Sequence, residues 1–318
     1  MKDERQKLIA KFEELTDSDV YILFTASGEQ EYSVSYDFLP LFTESIFLRR
    51  RFRRKKALLI METNGGDPTT AMAIIKQLHE CYETVEGYAF NRCFSAGTLA
   101  MFGTDEIHMS KYALFTPIDL QCFITDEANY KPVIANFNAF VERTPDVREQ
   151  QFAEMYPAEY LTAIRTLRYS IQTLYPNFAK HCEEDKIEAT WDYLNGGAGA
   201  HSAKINRSQA KEFGIKVVDM TEEEEEILYD IISNYINATN MLVDSLAEME
   251  VKDAYFETLG LTYVHYQKFQ EEPRGDGAEG AGDLVGELAA RPEDCDIPDK
   301  KKLLNSKRCI EYGWKKET

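Results

Sequence analysis

Hydrophobic and polar positions along the chain repeat in two periods, and the switches between them outline the fold. Val20-Tyr21-Ile22-Leu23-Phe24, 57–62, 85–90 and 106–109 are short apolar runs with the length of buried strands. Between them lie Tyr36 to Arg50, 68–81 and 96–103, whose apolar residues recur at helical spacing. A short amphipathic helix is expected over Glu4 to Leu15. Alternation of strand and helix predicts a parallel sheet with crossover helices, an α/β domain. From Asn129 to Glu184 the pattern turns mainly helical. Gly196 to Ala200 reads as a flexible loop ending at His201, Asn206 to Phe213 as a capped helix, and Gly214 to Val218 as a last strand. Thr221 to Glu248 is expected as one long helix, with Thr221 and Glu224 forming a capping box. A second helix is expected over Ala254 to Phe269. The Gly-, Pro- and acid-rich stretch Glu271 to Asp299 reads as a linker or disordered segment, and Lys300 to Thr318 as a short docking tail. The organisation is therefore a core domain at 1–220, a helical arm at 221–270, and a linker with tail at 271–318.

Two turns interrupt this alternation in a way that suggests chemistry. Asn64-Gly65-Gly66-Asp67-Pro68 follows the second strand and opens a helix. Cys93-Phe94-Ser95-Ala96-Gly97-Thr98 does the same after the third. Paired glycines let backbone amides approach a reacting carbonyl closely, as an oxyanion site requires. A serine at a strand-to-helix turn is presented at a helix N-terminus, where developing negative charge is favoured. Ser95 is equally the kind of small residue that caps a helix start, and Gly65-Gly66 the kind that makes a plain tight turn.

These segments, in this order, resemble the Clp protease/crotonase superfamily, and within it the serine dehydrogenase proteinase family, relatives of signal peptide peptidase A. Thr116-Pro117-Ile118-Asp119-Leu120-Gln121 resembles that family's Gly-Pro-Val-Asp-Pro-Gln element. His201 to Val217 resembles its closing segment. The resemblance covers about residues 15 to 220. It implies a serine nucleophile at Ser95, with Gly65, Gly66, Ala96 and Gly97 around the oxyanion, and the backbone amides of Gly66 and Ala96 as donors. It implies hydrolysis of peptides or unfolded protein, no cofactor, and assembly as a homo-oligomer through the helical arm. The general base is where the chain departs from its relatives. Thr116 stands near the place of the Clp histidine, and Val147-Arg148 where signal peptide peptidase A has its lysine. His201 is the remaining candidate base. The aspartate that usually follows it is Ser202 here, so Asp119 is the candidate to orient the imidazole. A loop histidine bonding backbone and a turn-forming aspartate are the ordinary alternatives. With the base substituted, the chain could instead be a catalytically degenerate scaffold or regulatory subunit. A crotonase-like acyl-CoA enzyme is a further alternative, though its glycine-rich turn and its Ser-Ala-Gly-like segment come in the opposite order.

Composition narrows the partners. The 318 residues carry 36 basic against 55 acidic side chains, a formal charge of -19 that disfavours nucleic acid and anionic membrane surfaces. The basic run Arg49 to Lys56 is read as a solvated helix end. No signal-peptide h-region or membrane-length apolar run is present, and the six cysteines show no paired spacing, which suggests reduced thiols and a cytoplasmic location. No set of histidines and cysteines has metal-site spacing, and no phosphate-binding loop of the Walker type occurs.

Overall fold

The computed structural model describes residues 2–25, 32–119, 122–123, 130–131, 173–240, 243–245, 248–271 and 307–317. The residues expected as helical between 132 and 172, and the acidic stretch 272–306, lie outside them.

Strands β1 (Asp19–Thr25), β2 (Lys56–Glu62), β3 (Thr84–Ala89), β5 (Glu106–Met109) and β10 (Val218–Asp219) pair in parallel, in the order β10-β5-β3-β2-β1. Their crossovers are α2 (Phe38–Arg49), α3 (Pro68–His79) and α4 (Ala96–Phe102). The α/β class expected from the alternation is what the chain adopts. Both faces of this sheet are covered, and the strands are apolar on both sides as parallel strands must be. Along β1, Tyr21 and Leu23 join the core beneath α2, α3 and α4. Val20, Ile22 and Phe24 face the other way, onto α1 (Lys2–Thr16) and the long helix Glu222–Asn240.

The C-terminal third departs from expectation. Ala254 to Phe269 is not a helix. Residues 248–271 form an antiparallel hairpin of β12 (Glu248–Thr258) and β13 (Leu261–Glu271), turning at Gly260, whose φ is +80°. Strand β12 pairs antiparallel with β1 and with the short β11 (Val243–Ser245), and β14 (Lys307–Lys316) pairs with β13, so the same sheet continues through four more strands. The long helix ends at Asn240 rather than Glu248. Residues 221–270 are thus part of the main body and not a helical arm. Ile227, Leu228, Ile231, Ile232 and Tyr235 pack on Phe12, Ile22 and Tyr255. That packing leaves the expected homo-oligomer without the apolar face from which it was read.

The basic run is absorbed locally. Arg49 bonds Glu13 and Asp19 at 2.6 and 2.9 Å, Arg54 bonds Asp17 at 2.7 Å, and Lys55 bonds Glu83 at 3.1 Å. Among the described residues, no helix is long and apolar enough to cross a membrane.

Candidate active site

The two glycine- and serine-bearing turns meet at the carboxyl ends of β2 and β3. Past β2, Thr63 bridges Cys93 in parallel: its amide donates to the Arg92 carbonyl at 2.8 Å, and the Phe94 amide donates to the Thr63 carbonyl at 3.0 Å. That two-rung ladder carries Gly65 directly onto Ser95. A Cβ at Gly65 would lie 2.8 Å from Ser95 Cβ, and one at Gly66 only 2.3 Å from the Val34 carbonyl oxygen. Both glycines have φ in the left-handed half of the map, at +117° and +141°. Asp67 then caps α3, accepting from the Thr69 and Thr70 amides at 3.1 and 2.9 Å.

Ser95 is the N-cap of α4, with φ 49° and ψ -110°, an uncommon conformation for a residue with a side chain. Strain of this kind persists only where the surroundings impose it, and it collects at functional sites. Here Thr116 holds the Ser95 amide in place. Its Oγ1 accepts from the Ser95 amide at 2.8 Å, while its own amide donates to Thr98 Oγ1 at 3.2 Å.

The amides around the serine divide into two groups. Gly65 N–H donates to Thr63 Oγ1 at 3.1 Å, and Gly97 N–H donates to the Phe94 carbonyl at 2.8 Å. Gly97 is a packing residue: a Cβ there would lie 2.7 Å from Thr63 Cγ2. Among the described residues, the Gly66 and Ala96 amides donate to nothing. These are the two that the resemblance implied as oxyanion donors.

Asp119 and His201 come together. His201 Nδ1 lies 2.7 Å from Asp119 Oδ1, the carboxylate buried at 3% and the imidazole 31% exposed. A small three-stranded sheet makes the meeting possible. Strand β6 (Leu114–Phe115) runs parallel to β4 (Arg92–Cys93) and antiparallel to β9 (Ile205–Asn206). Ser95 and Thr116 follow β4 and β6, while His201 precedes β9, so all three emerge at one end. Lys204 Nζ sits 3.4 Å from the Phe94 ring centroid, which brings the His201 loop beside the residue preceding Ser95. The Ile118 amide donates to the Leu194 carbonyl at 2.8 Å and anchors the backbone next to Asp119. No hydrogen bond joins Ser95 to His201 among the described residues.

Two features of the site had gone unread in the sequence. Glu62, fully buried at the end of β2, bonds Arg92 Nε at 2.8 Å and the Arg92 amide at 3.1 Å. Burial drives its carboxyl pKa up against the pull of Arg92. A glutamate closing an apolar strand was the available signal. Val34 was the other: it bridges Gly66, accepting from the Asp67 amide at 2.7 Å, and nothing in its local sequence distinguishes it. Cys93 is buried, and desolvation pushes its thiol well up, which disfavours the reactive thiolate. The Lys204 ammonium is held below the usual lysine range by burial and by nearby Arg92.

No protein-family model matches the chain, and no curated protein matches it in sequence. Among solved structures it is similar to a serine-to-alanine mutant of 1510-N, a membrane-bound stomatin-specific protease. That likeness has 14% identity and a TM-score of 0.41, and covers 71% of this chain and 86% of the other. A lysine-to-alanine mutant of the same protease in complex with a substrate peptide is similar at 13% identity and a TM-score of 0.43, over 66% and 78% of the two chains.

Proposed function

We propose that the protein is a serine-type peptidase acting on peptides or unfolded protein through an acyl-enzyme on Ser95. The observation that carries this reading is the strained serine at a helix N-terminus, packed on Gly65, with the Gly66 and Ala96 amides undonated around it. In the first half-reaction His201 Nε2 takes the Ser95 Oγ proton as Oγ attacks the scissile carbonyl. Asp119 holds the proton on Nδ1, fixing the tautomer that leaves Nε2 free to act as base. The Gly66 and Ala96 amides stabilise the tetrahedral oxyanion, and the α4 dipole adds to their effect. The imidazolium protonates the leaving amine. Water, activated by the same base, then releases the acyl group and regenerates the serine. A catalytic hydrogen bond that is open without substrate and closes in the Michaelis complex is a common pattern, so the missing Ser95–His201 bond is compatible with this sequence of steps.

That missing bond also favours the second reading, a degenerate scaffold or regulatory subunit. Labelling with a fluorophosphonate, with mass mapping of the adduct, separates the two. The peptidase reading expects an adduct on Ser95 in the wild type, none in Ser95→Ala, and labelling slowed by about 10²–10⁴ in His201→Ala. A folded wild type that takes no label supports the scaffold.

A further inference from the structure

On the sheet face opposite α4, one side chain of β3 and two of β5 converge. Strands β3 and β5 are parallel neighbours with Glu86 opposite Glu106 and Tyr88 opposite His108. Because successive side chains alternate faces, all four point to the side covered by α1 and the long helix. His108 Nε2 lies 3.1 Å from Glu106 Oε2 and 3.5 Å from Glu86 Oε2, and one ligand atom from each residue falls within 4.8 Å of the others. We propose that Glu86, Glu106 and His108 form a binding site for a single zinc ion.

The geometry suits that ion. Tetrahedral zinc with bonds of about 2.0–2.1 Å holds its ligand atoms roughly 3.3 Å apart, close to both imidazole-to-carboxylate separations here. An imidazole and two carboxylates are a nitrogen–oxygen set of the type zinc accepts, and too few oxygens for calcium. The site is rigid on one side and open on the other. The His108 ring stacks on Tyr88 with centroids 4.2 Å apart and planes 6° off parallel, and the Tyr88 hydroxyl is fixed by Glu224 at 2.9 Å. The His108 and Glu86 side chains are 11% and 12% exposed, but Glu106 is 51% exposed, which leaves room for water as the fourth ligand. The charge pattern is compatible with a cation. Two carboxylates directly opposite each other on neighbouring strands repel. The nearby ammonium is Lys56, which reaches Glu86 at 3.2 Å and is itself 28% exposed. A partly exposed pair of that kind is weak enough for Lys56 to turn outward when a divalent ion enters. The chain's charge of -19 raises the local cation concentration. The site shares no residue with the Ser95 cluster and stands independently of the peptidase reading.

The test is titration of metal-free full-length protein with Zn²⁺ by calorimetry and with Co²⁺ by visible absorption. One equivalent should bind, with cobalt bands of tetrahedral nitrogen–oxygen ligation and a rise in melting temperature. Glu106→Gln, at an exposed position that leaves folding intact, should weaken binding at least tenfold, and His108→Gln should abolish it. Lys56→Met should bind as tightly as wild type or more so. Absence of saturable binding, a thiolate charge-transfer band in the cobalt spectrum, or affinity unchanged in Glu106→Gln would each overturn the proposal.

Discussion

At the scale of single residues, the two glycines of the β2–α3 turn have different duties, and substitution should separate them. Both need a left-handed φ, which costs any side chain roughly 1–3 kcal/mol. At Gly66 the added methyl also meets Val34 backbone at 2.3 Å, where nothing can give way. Gly66→Ala should therefore lower the urea midpoint markedly and displace the amide proposed to bind the oxyanion. At Gly65 the methyl meets the Ser95 side chain at 2.8 Å, so its strain falls on the proposed nucleophile. Gly65→Ala should lose most fluorophosphonate labelling for a smaller loss in the urea midpoint. Under the proposed mechanism, Asp119→Asn should keep the fold but disfavour the tautomer that leaves Nε2 unprotonated, slowing labelling with little change in melting temperature. The turns that carry Gly65, Gly66 and Ser95 are legible in the sequence because their φ preferences and strand-to-helix positions are local. The His201–Asp119 contact was legible only as a possibility, since it joins residues 82 apart in sequence.

At the scale of elements, the chain's two ends are locked together by a charge. Arg5, buried in α1, bonds Glu257 on β12 at 2.8 Å and Asn234 on the long helix at 2.9 Å. The Tyr235 hydroxyl donates to the same carboxylate at 2.5 Å, and the guanidinium lies 4.8 Å from that tyrosine's ring centroid. Arg5→Met would strand the fully buried Glu257 without its counter-charge. Breaking such a pair from one side costs about 3–5 kcal/mol, measurable as a fall in the urea midpoint. Arg5→Met combined with Glu257→Leu should recover much of the loss. The hairpin holding Glu257 is the element that sequence reading mistook. Tyr255, Phe256, Thr258, Thr262, Tyr263 and Val264 are β-branched or aromatic, and Leu259-Gly260 is a turn, so strand signals were present. Apolar residues so dense fit both periods. Pairing with β1 decides for the strand.

For the whole molecule, stability depends on elements far apart in sequence. Strand β14 brings Trp314 to within 4.9 Å of the Phe38 ring centroid and 5.4 Å of His265. Its neighbour Glu317 bonds Lys252 at 2.9 Å. Removal of 307–318 should uncover that aromatic cluster and the edge of β13, lowering the melting temperature and promoting aggregation. The acid side of the stability profile has a specific source in His181. Its Nε2 lies 2.7 Å from the Thr104 carbonyl, and burial holds its pKa below the ordinary histidine range. The unfolded chain therefore takes up a proton near pH 6.5 that the folded chain resists. Stability from this residue is complete above that pH and is lost as the pH falls below it. Denaturant midpoints between pH 8 and 5 should show this decline, and His181→Gln should flatten it.

By itself, the sequence determined the α/β alternation, the helix cap at Asn206, the capping box of Thr221 and Glu224, and the two turns bearing Gly65, Gly66 and Ser95. Those features depend on hydrophobic period, φ preference and hydrogen bonds spanning three or four residues, all of which are written locally. Tertiary structure decided that the C-terminal residues extend the central sheet, that Asp119 partners His201, and that Glu86, Glu106 and His108 share one face. Each of these depends on which strands become neighbours and in what register, and pairing of that kind is set by burial over the whole sheet, beyond the reach of any local pattern.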